Sequence, residues 1–157
     1  MQPRAAFVLT AVLAALCLTP DGGPKADPVA TALGCSGDPC VVKRNPGGEL
    51  GAFRAAADEI KSSGRRVVID GPCYSACAIL ADEARSNVCV TSRAKFGFHQ
   101  GYVVGQRKIG GPVKLLGRFK PTHSSDIARW VSKHGGYPSK GFRMMGIGSA
   151  GKIWKRC

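Results

Sequence analysis

A single serine lies where a strand, a tight turn and a helix are predicted to follow one another. The apolar run at 67–70 precedes Gly71-Pro72-Cys73-Tyr74-Ser75-Ala76-Cys77, and a helix-forming run comes next. At such a turn, the N-terminus of a helix presents unpaired N–H groups and the positive end of its dipole to the hydroxyl. This position suits a serine nucleophile beside an oxyanion hole. Serine is also a frequent helix N-cap, and Gly-x-Ser-x-Gly is absent here, so both interpretations of Ser75 stay open at this point.

Cysteine is the second residue type with chemistry to assign. One of the seven, Cys17, lies in an apolar N-terminal run, and the other six are Cys35, Cys40, Cys73, Cys77, Cys89 and Cys157. An even number in a small exported domain favours disulfides. Cys35 and Cys40 bracket a Ser-Gly-Asp-Pro turn and could pair locally, whereas the pairing of the other four stays open. Zinc is the rival interpretation, but the chain has no Cys-x-x-Cys pair and its three histidines are not spaced as ligands. We therefore predict no metal and no cofactor.

The elements that must position Ser75 follow an alternation of strands and helices. A strand is predicted at 40–44, and a helix at 49–62 carries apolar residues on one face: Leu50, Phe53, Ala57 and Ile60. A strand at 67–70, a helix from Ser75 to about Arg85, a strand at 88–91 and a short extended segment at 95–99 follow. Such quick alternation implies right-handed βαβ crossovers. The predicted fold class is therefore α/β, with a short parallel sheet built from these crossovers.

The chain beyond Gln100 is basic and has a different pattern. Residues 102–117 are predicted to form a flexible arm or a hairpin, and residues 124–134 to form a helix. The tail at 144–157 has enough apolar residues to dock on the core. Residues 101–157 hold twelve Lys/Arg and one acid, Asp126, and thus carry +11 of the formal net charge of +13. We predict a basic, irregular-plus-helix C-terminal part at 101–157, whose charge suits anionic surfaces.

The N-terminus has the pattern of an export signal. Arg4 precedes an apolar run at 5–18 that is too short for a membrane span, and a breaker rich in Pro and Gly ends it. The predicted location is the periplasm, and an uncleaved membrane anchor is the alternative. The cleavage site stays open. We predict a signal peptide and mobile leader at 1–32, and a single domain at 33–157 with its core at 40–100.

Three motifs occur in a fixed order between residues 41 and 100. They are Asn45-Pro46-Gly47-Gly48 after a strand, Gly71-Pro72-Cys73-Tyr74-Ser75-Ala76, and Phe96-Gly97-Phe98-His99-Gln100. In order and spacing they are similar to motifs of the Clp-protease proteolytic subunit, a family of the crotonase-like superfamily. The chain most resembles small exported bacterial members with a Cys-x-Ser-Ala-Cys elbow. The resemblance implies a Clp-protease-like domain at 33–157.

The resemblance also implies a role for each matching residue. Ser75 becomes the nucleophile, and His99 becomes the general base that takes the proton of its hydroxyl. The backbone N–H groups of Gly48 and Ala76 become the oxyanion hole, and glycines suit the first turn because it needs unusual dihedral angles. The chain has no ATP-binding motif, so any activity would not be nucleotide-driven through this chain.

The third catalytic residue is less clear from the same comparison. The family's aspartate would fall near Gly148, where this chain has no acid. Asp126 is the only carboxylate after His99 and is the candidate for orienting the imidazole; without it the site would be a Ser-His dyad. Cys77, two residues past Ser75, is the rival nucleophile.

Two functions follow from these observations. The first is an exported serine hydrolase, of peptidase type, that acts on a peptide substrate. The second is a non-catalytic crotonase-like domain for binding or assembly, including homo-oligomer formation, whose basic C-terminal part contacts anionic envelope surfaces. Nucleic acid is not an expected partner, because an exported protein seldom meets it and basic and aromatic residues do not interleave here.

Overall fold

The structure, a computed structural model, describes residues 26–105 and 114–157. Its helices are α1 (Pro28–Leu33), α2 (Leu50–Ser63), α3 (Ala76–Glu83), α4 (Ser125–Lys133) and α5 (Ile147–Ala150). Its strands are β1 (Cys40–Val42), β2 (Val67–Ile69), β3 (Pro72–Tyr74), β4 (Val88–Val90), β5 (Lys95–Phe98), β6 (Gly101–Val104), β7 (Leu115–Phe119), β8 (Arg143–Met145) and β9 (Lys155–Arg156). The predicted signal run and Cys17 lie outside the described residues. Within them, every helix is too short or too polar to cross a membrane.

A parallel sheet in the order β1-β2-β4-β9 forms the centre of the fold. Parallel neighbours need a crossover connection, and α2 supplies it between β1 and β2. Helix α2 packs against α1 and α3, and its buried residues are Phe53, Ala56, Ala57 and Ile60. The predicted α/β class with a parallel sheet is therefore confirmed.

A second sheet, in the order β3-β5-β8, brings two of the sequence motifs together. Strand β3 pairs in parallel with β5, and the N–H of Ser75 continues this pairing by donating to the carbonyl oxygen of Gly97 at 2.8 Å. Strand β3 is not predicted from the sequence, because Gly71-Pro72 is typical of a break. Proline is tolerated here because Pro72 is the first residue of the strand. The pairing holds Ser75 beside the end of β5.

Strands β6 and β7 form an antiparallel hairpin, which lies between β5 and β8 in the chain. Of the two alternatives for residues 102–117, the hairpin is therefore correct, and residues 106–113 lie outside the described residues. The hairpin exposes several large apolar side chains: Tyr102, Val103, Val104, Leu115, Leu116 and Phe119.

Helix α1 belongs to the packed core. Asp27 caps it by accepting a hydrogen bond from the N–H of Val29 at 2.9 Å, and Pro28 occupies its first position. The helix buries Val29, Ala32 and Leu33. The prediction of a mobile leader up to residue 32 is therefore wrong for residues 28–32. Their Pro and Ala content is typical of a linker, but Asp27 and Pro28 are a helix start signal.

The C-terminal part is more regular than predicted. Strand β8 joins the second sheet and β9 joins the first, so the irregular-plus-helix description is wrong for these segments. Strands of two or three residues carry too little pattern to be recognised. Trp154 is buried, stacks on Phe96 at a centroid distance of 4.1 Å and donates its ring N–H to the carbonyl oxygen of Ala81 at 2.8 Å. The predicted docking of the tail is confirmed.

Candidate active site

Ser75 has a backbone conformation that residues other than glycine rarely adopt. Its φ is 55° and its ψ −123°, and among the described non-glycine residues it alone has a positive φ. Strand β3 ends at Tyr74 and α3 begins at Ala76, so Ser75 by itself forms the turn between strand and helix. Such a conformation costs on the order of 1–3 kcal/mol and is concentrated at functional sites. A serine on a strained turn between strand and helix is the geometry of a nucleophile elbow.

The hydroxyl of Ser75 is bound to a histidine. Its oxygen lies 2.7 Å from Nε2 of His99, which follows strand β5. The side chain makes no capping hydrogen bond to α3. The interpretation of Ser75 as a simple N-cap is therefore wrong.

His99 lies among aromatic rings. The ring of Phe142 meets it edge-on at a centroid distance of 4.9 Å, and the ring of Tyr102 lies at 5.5 Å. Burial lowers the pKa of His99, and a hydrogen bond to the backbone of Gln100 raises it in part. The imidazole is consequently neutral at pH 7 and able to accept the proton of the Ser75 hydroxyl.

Phe142 connects the two sides of the site. Besides meeting His99, its ring stacks on Tyr74, the neighbour of Ser75, at 4.8 Å between centroids. Gly97 makes room for this stack, since a Cβ there would lie 2.6 Å from the Tyr74 ring and 3.1 Å from the Phe142 ring. Phe142 is not among the site residues predicted from the sequence. No local motif marks it, because it reaches the site only through the pairing of β8 with β5.

Asn45 anchors the Pro-Gly-Gly turn to the strand that leads to the elbow. Its backbone exchanges hydrogen bonds with β3, accepting from Tyr74 at 2.9 Å and donating to Pro72 at 2.8 Å. Its buried side chain accepts from the N–H of Gly47 and donates to the carbonyl oxygen of Ala32, both at 2.8 Å. From the sequence, Asn45 is predicted only as part of a turn. The available signal was the tendency of asparagine to bind the backbone two residues later.

Gly47 carries the turn into direct contact with the elbow. Its φ is 84°, and a Cβ there would lie 2.6 Å from the carbonyl oxygen of Tyr74 and 2.7 Å from Cβ of Ser75. Gly48 follows Gly47 in the chain, and Ala76 follows Ser75. Within the described ranges, neither of their N–H groups donates a hydrogen bond. Unpaired N–H groups beside a serine hydroxyl are what an oxyanion hole requires.

Asp126 has a different partner from the one expected. Its carboxylate binds Arg85 at 2.6 Å and accepts a hydrogen bond from the hydroxyl of Ser124 at 2.6 Å, at the start of α4. The Arg85 guanidinium holds the pKa of Asp126 well below its usual range. The prediction that Asp126 orients His99 is therefore wrong. In the part of the chain that the structure describes, no carboxylate hydrogen-bonds to His99, and the site is a Ser-His dyad.

The six cysteines outside the N-terminal run form three disulfides, Cys35–Cys40, Cys73–Cys77 and Cys89–Cys157. The predicted local pairing of Cys35 with Cys40 is confirmed. The prediction of Cys77 as a rival nucleophile is wrong, because its sulfur is bonded to that of Cys73 and both residues are fully buried. Three disulfides in a small domain indicate an oxidising, exported environment.

A groove of about 720 Å³ opens over the dyad. Ser75, His99 and Gly48 lie in its wall, and most of the other lining residues are apolar: Leu50, Ile79, Tyr102, Val103, Val104, Phe119 and Pro121. The hairpin β6–β7 therefore forms one wall, and the beginnings of α2 and α3 form the other. An apolar groove with a few convergent polar groups is the usual character of a substrate site.

Comparisons of the chain with protein-family models, with curated proteins and with solved structures find no match. The roles of the site residues are therefore inferred from geometry and chemistry. The turn at Gly47, the elbow at Ser75 and the end of β5 at His99 converge on one groove, whereas Asp126 lies outside it.

Proposed function

We propose that this chain is an exported serine hydrolase of peptidase type, with Ser75 as nucleophile and His99 as general base. One observation carries the proposal. The hydroxyl of Ser75, held at a φ of 55° between β3 and α3, is hydrogen-bonded at 2.7 Å to Nε2 of His99. A serine with a purely structural role would cap the helix or adopt an unstrained backbone. A base within hydrogen-bond reach is what makes a serine hydroxyl nucleophilic at neutral pH.

Acylation uses both residues of the dyad and the two N–H groups. Nε2 of His99 takes the hydroxyl proton while Oγ of Ser75 attacks the carbonyl carbon of the scissile bond. The N–H groups of Gly48 and Ala76 stabilise the negative charge that develops on the carbonyl oxygen, and the N-terminal end of α3 favours the same charge. His99 then donates its proton to the leaving amine, which departs and leaves an acyl group on Ser75.

Deacylation repeats these steps with water. His99 takes a proton from a water molecule, whose oxygen attacks the acyl carbon. The charge again develops next to Gly48 and Ala76. His99 returns the proton to Oγ of Ser75 as the acid product leaves, and the free enzyme is regenerated.

The groove supports a peptide as the substrate class. Its apolar lining suits apolar side chains next to the scissile bond. Strands β6 and β7 pair only with each other within the described residues, so the hairpin offers an edge to which an extended peptide can add. Both features favour a peptide over a small soluble ester.

Membership of the Clp-protease proteolytic subunit family, within the crotonase-like superfamily, is part of the same proposal. The order of the three motifs and the convergence of Gly47, Ser75 and His99 support it. The three disulfides support a periplasmic location. The basic charge of residues 101–157 supports contact with anionic envelope surfaces.

A fluorophosphonate probe tests the proposed function, since it reacts with activated serines. We expect labelling of the folded, oxidised protein at pH 8, and peptide mapping should locate the label on Ser75. Ser75→Ala should abolish labelling. Ser92→Ala, at an exposed serine outside the groove, is the matched control and should label like the wild type.

The contrary result would be a folded, oxidised protein that the probe does not label. That outcome would contradict the hydrolase and favour the alternative, a non-catalytic binding or assembly domain with the same residues. Circular dichroism and a thiol titration on the same sample establish that the protein is folded and oxidised.

A further inference from the structure

A disulfide spans the strained serine. Cys73 is the middle residue of β3, and Cys77 is the second residue of α3, so the bond joins the two elements on either side of Ser75. The Cα atoms of the two cysteines are 5.3 Å apart. Both residues are fully buried. In the described chain, β3 and α3 are joined covalently in two ways, by this disulfide and by the backbone through Ser75.

This disulfide is poorly suited to stabilising the fold as a whole. A cross-link stabilises mainly by restricting the unfolded chain, and the effect grows with the length of the closed loop. Cys73 and Cys77 are four residues apart, whereas Cys89 and Cys157 are 68 residues apart. The short loop restricts the unfolded chain much less than the long one. Its main effect must therefore be on local conformation.

Backbone hydrogen bonds hold the strand side of the elbow more firmly than the helix side. The N–H of Ser75 donates to Gly97 at 2.8 Å, and Tyr74 donates to Asn45 at 2.9 Å. On the helix side, the N–H groups of Ala78 and Ile79 donate to the carbonyl oxygen of Ser75 itself, at 2.9 and 3.3 Å, so these bonds do not tie Ser75 to another element. Rotation about the φ of Ser75 would relieve its strain and move the start of α3 relative to β3. The disulfide blocks that rotation.

We propose that the Cys73–Cys77 disulfide is a positioning device for the nucleophile, which holds Ser75 at positive φ with its hydroxyl facing His99. The proposal rests on the proposed function, since it names what keeps that site in its reactive geometry. Because both cysteines are buried, a dissolved reductant does not reach the bond in the folded protein. The disulfide is therefore a permanent support of the elbow.

Kinetics of fluorophosphonate labelling test this role. Two elbow variants remove the bond, Cys73→Ala/Cys77→Ala and Cys73→Ala/Cys77→Val, of which the second keeps more of the buried volume. The matched control, Cys89→Ala/Cys157→Ala, removes the bond between β4 and the C-terminus. For each protein, the first-order inactivation constant at saturating probe, the half-saturating probe concentration and the melting temperature are measured.

In the elbow variants, we expect the inactivation constant to fall at least about tenfold, since displacing a reacting group by about 1 Å can cost about a hundredfold. The half-saturating concentration should not change, because the groove keeps its lining. The control should show the opposite pattern, a larger fall in melting temperature with an unchanged inactivation constant. A disulfide with a merely structural role would lower the melting temperature without this kinetic difference.

Two outcomes would overturn the proposal. One is a folded elbow variant that is labelled at the wild-type rate. The other is failure of both elbow variants to fold, because the proposal assigns the bond little share of global stability. If the wild type itself is not labelled, the proposed hydrolase fails, and crystal structures then test the positioning role separately. Retention of positive φ at Ser75 without the disulfide would overturn that role.

Discussion

The imidazole of His99 is hydrogen-bonded to the hydroxyl of Ser75 at 2.7 Å without the support of a carboxylate from the described chain. The edge-on ring of Phe142 and the ring of Tyr102 instead pack against it. In a triad, the carboxylate stabilises the imidazolium that forms during the reaction. Because aromatic contacts do not supply a full negative charge, we expect His99 to be protonated only at lower pH and the dyad to be slower than a triad.

The pH dependence of labelling follows from this environment. Burial lowers the pKa of His99 from its ordinary value of 6.5. The neutral, proton-accepting form therefore dominates above that lowered pKa, and the labelling rate should fall as the pH drops through a midpoint below 6.5. Labelling rates measured from about pH 4.5 to about pH 8, which covers the range in which histidine side chains usually titrate, would check this. His99→Ala should lower the rate about a hundredfold and remove the midpoint. A midpoint above 6.5 would contradict a dyad without a carboxylate.

Phe142 is expected to matter for the rate more than its exposure suggests. Truncation by Phe142→Ala removes the ring that contacts both Tyr74 and His99, so the imidazole gains rotational freedom. We expect labelling to slow about tenfold, with a loss of stability of about 1 kcal/mol, because aromatic pairs contribute about 0.5–1.5 kcal/mol. Leu116→Ala, at a more exposed apolar residue of the hairpin that does not line the groove, is the control and should label normally. Equal labelling rates in the two variants would contradict a role for Phe142 in positioning His99.

The two aspartates near Arg85 should affect stability and leave the chemistry unchanged. Burial raises the pKa of Asp82, but hydrogen bonds from its neighbours, among them Ser124 and Arg85, outweigh it and lower the pKa to about 2. The pKa of Asp82 is lower in the folded protein than in the unfolded chain, where it is about 4. The ionised carboxylate therefore stabilises the fold above about pH 4, and this contribution is lost as the pH falls toward the folded-state pKa of about 2. The amount is about 2 kcal/mol.

The free energy of unfolding in urea would be measured from about pH 2, the folded-state pKa of Asp82, up to about pH 7. The difference between the wild type and Asp82→Asn gives this contribution. Asp126→Asn is the matched variant. Its carboxylate is more exposed, so we expect a loss below about 1 kcal/mol and a normal labelling rate. A large loss of labelling in Asp126→Asn would restore it as an orienting residue and contradict its assignment to Arg85.

The residues that sequence could identify are those whose role is local. Ser75 stands out because the strand, the turn and the helix around it are contiguous, and helix α2 because its apolar residues repeat at helical spacing. The role of Asp126 is predicted wrongly, because counting carboxylates cannot reveal that this carboxylate binds Arg85, 41 residues earlier in the chain. Phe142 reaches the dyad through the register of two short strands, which no local pattern encodes.

The disulfides lead to a prediction about thiols and stability. Exported protein should show none of its six downstream cysteines as a thiol in a titration under denaturing, non-reducing conditions. Cys89→Ala/Cys157→Ala should cost about 4 kcal/mol, because this bond closes by far the longest loop, 68 residues in sequence separation. Chemical denaturation of wild type and variant would measure the difference. Reactive thiols in exported material would contradict the pairing.

The contact between Gly47 and the elbow gives the sharpest test of how the site is built. Gly47 and Gly64 both have positive φ, 84° and 72°, so alanine at either position incurs a similar backbone cost of roughly 1–2 kcal/mol. They differ in their surroundings. A Cβ on Gly64 meets nothing within 4 Å, whereas a Cβ on Gly47 would lie 2.6 Å from the backbone oxygen of Tyr74 and 2.7 Å from Cβ of Ser75.

Gly64→Ala should therefore lose stability only by this backbone cost, and the probe should label it at the wild-type rate. Gly47→Ala must push the turn away from the elbow, so it should lose more stability and slow labelling at least about a hundredfold, as expected when oxyanion donors are displaced. Thermal unfolding and labelling rates of the two variants, measured side by side, separate the shared backbone cost from the clash. If Gly47→Ala labels like Gly64→Ala, the turn at residues 45–48 does not form the oxyanion hole, and the charge on the carbonyl oxygen must be stabilised by α3 alone.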